Sequence, residues 1–293
     1  MPALRPRRSV LYMPASNARA LEKAKGIAAD ALIFDLEDAV APEAKETARA
    51  QACAAVRGGG YGRRELLVRV NGLGARWHAD DIAAVAEAGP AGIVVPKIES
   101  AHDVERVATA MRRAGAAPTM QLWAMIETPR GVVKAAEIAS QAEHAGSPLA
   151  CFIVGLNDLF KDTRAEPDAD RTAAQYWLSQ IVTAARAYGL AVLDSAYNNF
   201  RDAEGLAREC RQGRKLGFDG KTLIHPDQVA TANEIYAPPA DEVAWARRIL
   251  AAFELPENQG RGVIDLEGRM VELLHAEMAR RTVAIADAIA AGA

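Results

Sequence analysis

The stretch ALIFDLEDAV, residues 31–40, begins as an apolar run typical of a buried β-strand and ends in three carboxylates, Asp35, Glu37 and Asp38. Seven other apolar, β-branched runs occur along the chain. The eight runs are SVLYMP (9–14), ALIFDLED (31–38), ELLVRVN (65–71), GIVVPKI (92–98), TMQLWAMIE (119–127), ACFIVGLNDL (150–159), AVLDSAY (191–197) and DGKTLIH (219–225). Nearly every gap between them holds an Ala/Arg/Glu-rich stretch with helical spacing.

Continuous apolar strands that alternate with amphipathic helices predict parallel strands buried on both faces. Eight such strand–helix units match a closed (β/α)8 barrel, the TIM barrel of the α/β class, better than an open doubly wound sheet. The series stops at YAPPADE (236–242), and only helical patterns are predicted beyond it. We therefore expect a barrel over residues 1–237 and a C-terminal helical extension over residues 238–293.

Charge and cysteine content bound the possible classes of protein. The 293 residues include 35 Lys and Arg against 38 Asp and Glu, so neither nucleic acid nor an anionic membrane surface is favoured as a partner. No apolar run reaches the length of a signal peptide or a membrane span, and a cytoplasmic location is expected. Cys53, Cys151 and Cys210 are scattered without CxxC spacing, which indicates reduced thiols and no structural zinc site.

Polar residues concentrate at the predicted carboxyl ends of the strands, where βα loops gather and barrel active sites form. They are Asp35, Glu37, Asp38, Arg69, Asn71, Lys97, Glu99, Glu127, Asn157, Asp158, Asp194 and His225. Glu127 and Asp158 end neighbouring strands, so both could hold one cation, and a pair of carboxylates without soft ligands favours Mg²⁺ over zinc. The competing interpretation is a structural cluster in which these acids are ion-paired with Arg69 and Lys97.

Seven ordered motifs extend this pattern over nearly the whole chain. They are RRSVLYMPASNARALEKA, ALIFDLEDAV, LLVRVNG, GIVVPKIES, AMIETPRGV, FIVGLNDLFKD and GFDGKTLIHPDQV. Together they resemble the citrate lyase β-subunit-like branch of the HpcH/HpaI aldolase superfamily. The resemblance implies a homotrimeric or hexameric barrel that makes or breaks a carbon–carbon bond next to a CoA-type thioester. It also implies Mg²⁺ as cofactor, with CoA entering as part of the substrate.

The resemblance further implies roles for individual residues. Glu127 and Asp158 look like the Mg²⁺ ligands, and Arg69 looks like the residue that holds the carboxylate or carbonyl of the substrate. Asp38 matches an acidic residue beside the metal that acts through water, and Glu37 is its neighbour. The positions that the resemblance assigns near the CoA nucleotide are Arg19, Lys23, Lys25, His225 and Pro226.

The C-terminal helices of the family look like a lid over the active site of a neighbouring subunit, with an aspartate that serves as acid or base. Here the stretch is EGRMVELLHAEMARR, and the matching residue is Glu272, one methylene longer. The extra length moves the carboxyl by more than about 1 Å, and such a misplacement can cost about a hundredfold in rate. Either the pocket has shifted, or the reaction differs from the usual one, or Glu272 is simply an exposed helix residue.

We expect a Mg²⁺-dependent lyase that reversibly cleaves a short 3-hydroxyacyl-CoA, of the malyl-CoA or citramalyl-CoA type. Its products would be acetyl-CoA, or a homologue, and a 2-oxo acid. One alternative is a (3S)-malyl-CoA-type thioesterase in which Glu272 activates water, and another is a non-catalytic CoA-ester-binding or assembly subunit. A free-acid aldolase of the wider superfamily is the last alternative, although such enzymes use a catalytic histidine that has no evident counterpart early in this chain.

Overall fold

The structure is a computed structural model that describes residues 5–292. The chain falls into two compact units, of which one is Arg7–Asn233 and the other takes in the chain from Glu234 onward. The role of a lid that the resemblance implies for the C-terminal part stays a prediction.

Eight parallel strands form a closed barrel in chain order, and the last strand pairs back with the first. Their bounds are β1 Ser9–Pro14, β2 Ala31–Asp35, β3 Glu65–Arg69, β4 Gly92–Val95, β5 Gln121–Ile126, β6 Leu149–Val154, β7 Ala191–Asp194 and β8 Gly220–Leu223. Each strand coincides with one of the eight apolar runs. The predicted TIM barrel is therefore confirmed, and most of the polar ends of the runs belong to the βα loops.

Helices follow the strands on the outside of the barrel. They are α1 Ala18–Lys23, α2 Lys45–Gly58, α3 His78–Ala88, α4 Ala101–Arg113, α5 Pro129–Val133, α6 Ala135–Ala139, α7 Leu156–Thr163, α8 Gln175–Ala187, α9 Ala203–Leu216 and α10 Val229–Tyr236. Side-chain oxygens cap several helix starts: Asn17, Thr128 and Asp202 each accept a first-turn backbone N–H. Within residues 5–292, no helix has both the length and the apolar character that crossing a membrane requires.

Alternate residues of the strands fill the barrel interior, because successive side chains of a strand point to opposite faces. The buried cluster consists of Val10, Ala31, Ile33, Leu67, Val94, Trp123, Met125, Cys151, Ile153 and Leu193. Two residues further along their strands come Asp35, Arg69 and Glu127, which therefore share the interior face above this core. Asp194 follows Leu193 by one residue and points outward instead. As expected, all three cysteines are free thiols, and all are buried.

The C-terminal unit contains a strand pair where the sequence pattern predicted only helices, so that prediction was wrong. Helices α11 Ala240–Glu254 and α12 Leu273–Gly292 flank the antiparallel strands β9 Val263–Leu266 and β10 Arg269–Glu272. The turn between the strands is Glu267–Gly268, with φ of 55° and 75°. Two successive positive φ values are the geometry of a type I′ hairpin turn. Glu272 consequently ends a strand and does not lie in a helix.

Candidate active site

Asp35 and Arg69 form a buried ion pair at the carboxyl ends of β2 and β3. Arg69 Nε and Nη2 donate to the two Asp35 carboxylate oxygens at 2.7 and 2.6 Å. Burial tends to lower the pKa of Arg69, but the charge and hydrogen bonds of Asp35 outweigh it and hold that pKa well above its ordinary value. The bidentate pair occupies one edge of the guanidinium. A substrate carboxylate would therefore meet the Nη1–Nη2 end of Arg69.

The loop after β2 is fixed by Asp35 and Lys45. The backbone N–H groups of Glu37 and Ala39 donate to the Asp35 carboxylate at 2.9 and 3.2 Å. Lys45 Nζ, itself buried, donates to two backbone carbonyls of the loop at 2.8 and 2.7 Å. These bonds place the Glu37 side chain beside Arg69 and leave Asp38 exposed at the rim.

Three carboxylates and two cations meet at the mouth of the barrel. Arg69 Nη1 lies 3.0 Å from Glu37 Oε2 without hydrogen-bond alignment, so this buried oxygen has no hydrogen-bond donor among residues 5–292. Lys97 Nζ lies 3.9 Å from Glu37 Oε1 and 3.8 Å from Asp158 Oδ1. With a φ of 52°, Lys97 also directs its backbone N–H to Glu127 Oε1 at 2.9 Å. The cluster thus contains Glu127 and Asp158, the acids that could hold a metal ion. It also contains Arg69 and Lys97, the cations that would pair with these acids in a purely structural cluster.

Glu127 is the most buried acid of this cluster after Asp35. Burial raises the pKa of Glu127 to about 7, and the neighbouring Glu37 and Asp158 add to that effect. Gly155 makes room for the side chain, because a Cβ at Gly155 would lie 2.5 Å from Glu127 Oε2. A further cation bound next to Glu127 would offset both the cost of burying its charge and the repulsion from Glu37 and Asp158.

The donor set fits Mg²⁺. In the described part of the chain, no three or more His, Cys, Asp or Glu side chains come together as a metal-binding group. Mg²⁺ is commonly held by only one or two carboxylates, with waters and substrate oxygens completing its shell. Glu127 and Asp158 would supply those two carboxylates. The oxygen of Glu37 that lacks a donor is a further acceptor in the same cluster.

The residues predicted to contact CoA follow two paired strands, β1 and β8, but Lys25 lies beside the segment that precedes β3, with its Nζ 5.6 Å from the Tyr61 ring centroid. Arg19 and Lys23 are exposed on α1, and the half-buried Lys25 lies just beyond it, 2.7 Å from Glu22. His225 is half-buried and stacks on Phe200 with 4.7 Å between ring centroids, and Pro226 next to it is exposed. Their contact with CoA stays a prediction.

Two strand-end residues do not enter the mouth, which corrects the expectation for that set. Asp194 is fully buried on the outer face of β7, where it accepts from Arg171 Nη1 at 2.7 Å and from Lys221 Nζ at 3.2 Å. Burial tends to raise the pKa of Asp194, but Lys221 and Arg171 outweigh it and hold that pKa below its ordinary value. Asn71 is bound to Asp81 through its backbone and side-chain nitrogens at 3.0 and 2.6 Å.

Sequence reasoning missed two residues of the site and left a third without a role. Tyr12 lies on the interior face of β1 with the Arg69 guanidinium carbon 4.8 Å from its ring centroid. Lys45 donates hydrogen bonds to the loop after β2, and Asp35 orients Arg69. Alternation from Val10 and Ile33 would have found Tyr12 and Asp35, whereas no sequence signal marks Lys45.

Glu272 belongs to the C-terminal unit. It is half-buried at the end of β10, and its backbone N–H donates to His275 Nδ1 at 3.0 Å. Its part in catalysis stays a prediction.

A closed (β/α)8 barrel with buried acids and an oriented arginine at its strand ends is the architecture of a TIM-barrel enzyme. Residues 8–226 match the HpcH/HpaI aldolase/citrate lyase family, and the chain belongs to this family. The resemblance to its citrate lyase β-subunit-like branch is confirmed by the relatives that follow.

A (3S)-malyl-CoA thioesterase of Cereibacter sphaeroides is 48% identical over 286 residues, which cover 98% of this chain and 96% of that protein. The citrate lyase subunit beta of Escherichia coli is 36% identical over 273 residues, covering 92% and 89%. A crystal structure of CitE from Mycobacterium tuberculosis in complex with magnesium, acetoacetate and coenzyme A has a TM-score of 0.74 and 34% identity. That match covers 97% of this chain and 99% of the CitE chain.

Proposed function

We propose that this protein hydrolyses a short 3-hydroxyacyl-CoA thioester of the (3S)-malyl-CoA type to the free acid and CoA. The observation that carries the proposal is the 48% identity to a (3S)-malyl-CoA thioesterase across 98% of the chain, against 36% to a citrate lyase subunit beta. The relatives thus favour the thioesterase alternative over the lyase that the sequence analysis placed first.

Arg69 would bind the free carboxylate of such a substrate. Asp35 holds one edge of the guanidinium through bonds of 2.7 and 2.6 Å, so the remaining end is presented in a fixed orientation. A guanidinium can donate two parallel hydrogen bonds to one carboxylate, which an ammonium cannot do. For CoA, the proposed contacts are Arg19, Lys23, Lys25, His225 and Pro226.

Glu127 and Asp158 would hold Mg²⁺, with Asp38 acting through water. The bound ion would supply Lewis-acid polarisation of a substrate oxygen. The CitE structure that contains magnesium, acetoacetate and coenzyme A supports Mg²⁺ as the ion.

Hydrolysis requires a base for the attacking water. As the water oxygen bonds to the thioester carbonyl carbon, its proton passes to a carboxylate, and the same proton leaves with the CoA thiolate when the C–S bond breaks. Glu37 would accept this proton, and this role is supported by its buried Oε2, which accepts no hydrogen bond within the described residues. Glu272 is the second carboxylate that we propose for proton transfer.

Carbon–carbon cleavage is the second candidate, and the relation to citrate lyase subunit beta favours it. In that reaction (3S)-malyl-CoA would give acetyl-CoA and glyoxylate. The homotrimer or hexamer and the cytoplasmic location expected from the sequence also belong to this proposal, and light scattering after gel filtration tests the oligomer.

The deciding experiment incubates purified protein with (3S)-malyl-CoA, in Mg²⁺ and in EDTA, and identifies both products by mass spectrometry. Malate with free CoA supports the thioesterase, whereas glyoxylate with acetyl-CoA establishes the lyase. Tight binding without either product pair would contradict both and favour a CoA-ester-binding subunit. The same assay is run on Glu127→Gln, with Glu99→Gln, a half-buried acid in the loop after β4, as its matched control.

A further inference from the structure

The thioether sulfur of Met125 lies at the floor of the mouth and accepts from two hydrogen-bond donors, Tyr12 and Arg69. Met125 belongs to the buried core of the barrel, directly beneath the acid cluster. The Tyr12 hydroxyl lies 3.8 Å from Met125 Sδ, and Arg69 Nη1 lies 3.9 Å from the same sulfur. Both donors are therefore held at one place on the interior face.

The Tyr12 hydroxyl is poorly satisfied by its surroundings. Met125 Sδ is its only hydrogen-bond partner within residues 5–292, and a thioether sulfur is a weak acceptor. A tyrosine hydroxyl in a largely buried position ordinarily finds a stronger partner. Phenylalanine would fill the same space under Arg69, so what the hydroxyl adds is a hydrogen-bond donor beside the guanidinium.

Among the residues that the structure describes, the Nη1 group of Arg69 also lacks a strong hydrogen-bond acceptor. Its other edge is bound to Asp35, and the ion pair of Nη1 with Glu37 Oε2, at 3.0 Å, is not aligned as a hydrogen bond. The guanidinium packs on the Tyr12 ring with 4.8 Å between its carbon and the ring centroid. The two side chains thus form a packed pair whose donors meet at the same sulfur.

We propose that Tyr12 and Arg69 together form the subsite for the carboxylate of the substrate, with the Tyr12 hydroxyl donating to one of its oxygens. This inference rests on the proposed function, because it concerns a CoA ester that carries a free carboxylate. It assigns Tyr12 as a specificity-determining residue that distinguishes such esters from those with an apolar acyl end.

The test compares two ligands that differ at the acyl end. In 3-hydroxybutyryl-CoA a methyl group replaces the carboxylate of (3S)-malyl-CoA, and the rest of the molecule is the same. Dissociation constants are measured by calorimetry for the non-hydrolysable analogues of both esters, in which a methylene group replaces the thioester sulfur, with the full-length protein, wild type and Tyr12→Phe, in Mg²⁺. Tyr176→Phe, at an exposed tyrosine on α8, is the matched control, and thermal melting checks that each variant is folded.

We expect Tyr12→Phe to weaken binding of the (3S)-malyl-CoA analogue roughly tenfold, the size of one hydrogen bond to a charged group, and to leave binding of the 3-hydroxybutyryl-CoA analogue unchanged. An equal loss for both ligands, or no loss for either, would overturn the assignment. So would a wild-type protein that binds the two analogues equally tightly. Because binding is measured and not turnover, a protein that binds malyl-CoA but yields neither product pair would refute the proposed function while still deciding the role of Tyr12.

Discussion

Glu127→Gln tests the balance of charge at the mouth of the barrel. Glutamine keeps the shape of Glu127 and an oxygen that can accept the Lys97 backbone N–H, but it removes the negative charge. In the protein stripped of divalent metal, that charge is costly because Glu127 is only 3% exposed and lies near Glu37 and Asp158. The variant should therefore be more stable than the wild type at alkaline pH.

The magnitude follows from the pKa of Glu127, which burial raises from 4.5 to about 7. One pKa unit corresponds to about 1.4 kcal/mol, so ionising Glu127 costs the folded state roughly 3 kcal/mol. Below pH 4.5 the carboxyl is protonated in both the folded and the unfolded state, and there is no cost. Between these pKa values the unfolded state binds fewer protons, so the free energy of unfolding falls as pH rises and levels off above pH 7.

The assay is thermal denaturation of wild type and Glu127→Gln in EDTA, followed by tryptophan fluorescence at pH 5 and pH 8. At pH 8 the variant should melt roughly 5–10 °C above the wild type, and at pH 5 the difference should largely disappear. Adding Mg²⁺ at pH 8 should stabilise the wild type and not the variant, because Glu127 is a proposed ligand. Glu99→Gln should show neither effect.

A constant difference between wild type and Glu127→Gln across this pH range would refute the reasoning, since it would mean that Glu127 ionises without cost. A rise in melting temperature with Mg²⁺ that is the same in both proteins would instead refute its assignment as a metal ligand.

Three further predictions concern other parts of the molecule. Asp35→Asn removes the charge that orients Arg69, so the KM for (3S)-malyl-CoA should rise roughly tenfold, and equal KM values would contradict that positioning role. Glu272→Ala should lower kcat at least about tenfold while Mg²⁺ affinity stays the same, and unchanged rates in both Glu272→Ala and Glu272→Asp would show that the C-terminal unit carries no chemistry. Asp194→Ala removes the buried carboxylate beside Lys221 and should lower the free energy of unfolding by roughly 3–5 kcal/mol in chemical denaturation, with kcat per folded molecule preserved. Unchanged stability in Asp194→Ala would contradict the structural role of that cluster.

The alternation of apolar runs and helical spacing was sufficient to predict the barrel. Each strand is buried on both faces and therefore appears in the sequence as a continuous apolar run. Because a helical stretch follows nearly every run, the strands could be expected to pair in chain order. The hairpin of the C-terminal unit could not be found in this way. Its strands have four residues each, and the Glu267–Gly268 turn differs from the Asn-Gly and Asp-Gly pairs that usually mark such hairpins.

The sequence also placed the acids and the arginine of the site at the strand ends. Asp194 and Asn71 were also expected in the mouth, and they lie elsewhere for two different reasons. Asp194 is still within β7, where it follows the interior residue Leu193 by one position, so alternation along the strand turns it to the outer face. Asn71 lies beyond the end of β3, where the strand pattern no longer fixes the side chain and its hydrogen bonds to Asp81 do.

The sequence by itself therefore determined the fold of the barrel, the family and the types of residue available for catalysis. Only the tertiary structure decided how these residues are paired: Asp35 with one edge of Arg69, Lys97 between Glu37 and Asp158, and Tyr12 beneath the guanidinium. The reason is that pairing depends on distances between side chains from different strands, and closure of the barrel sets those distances.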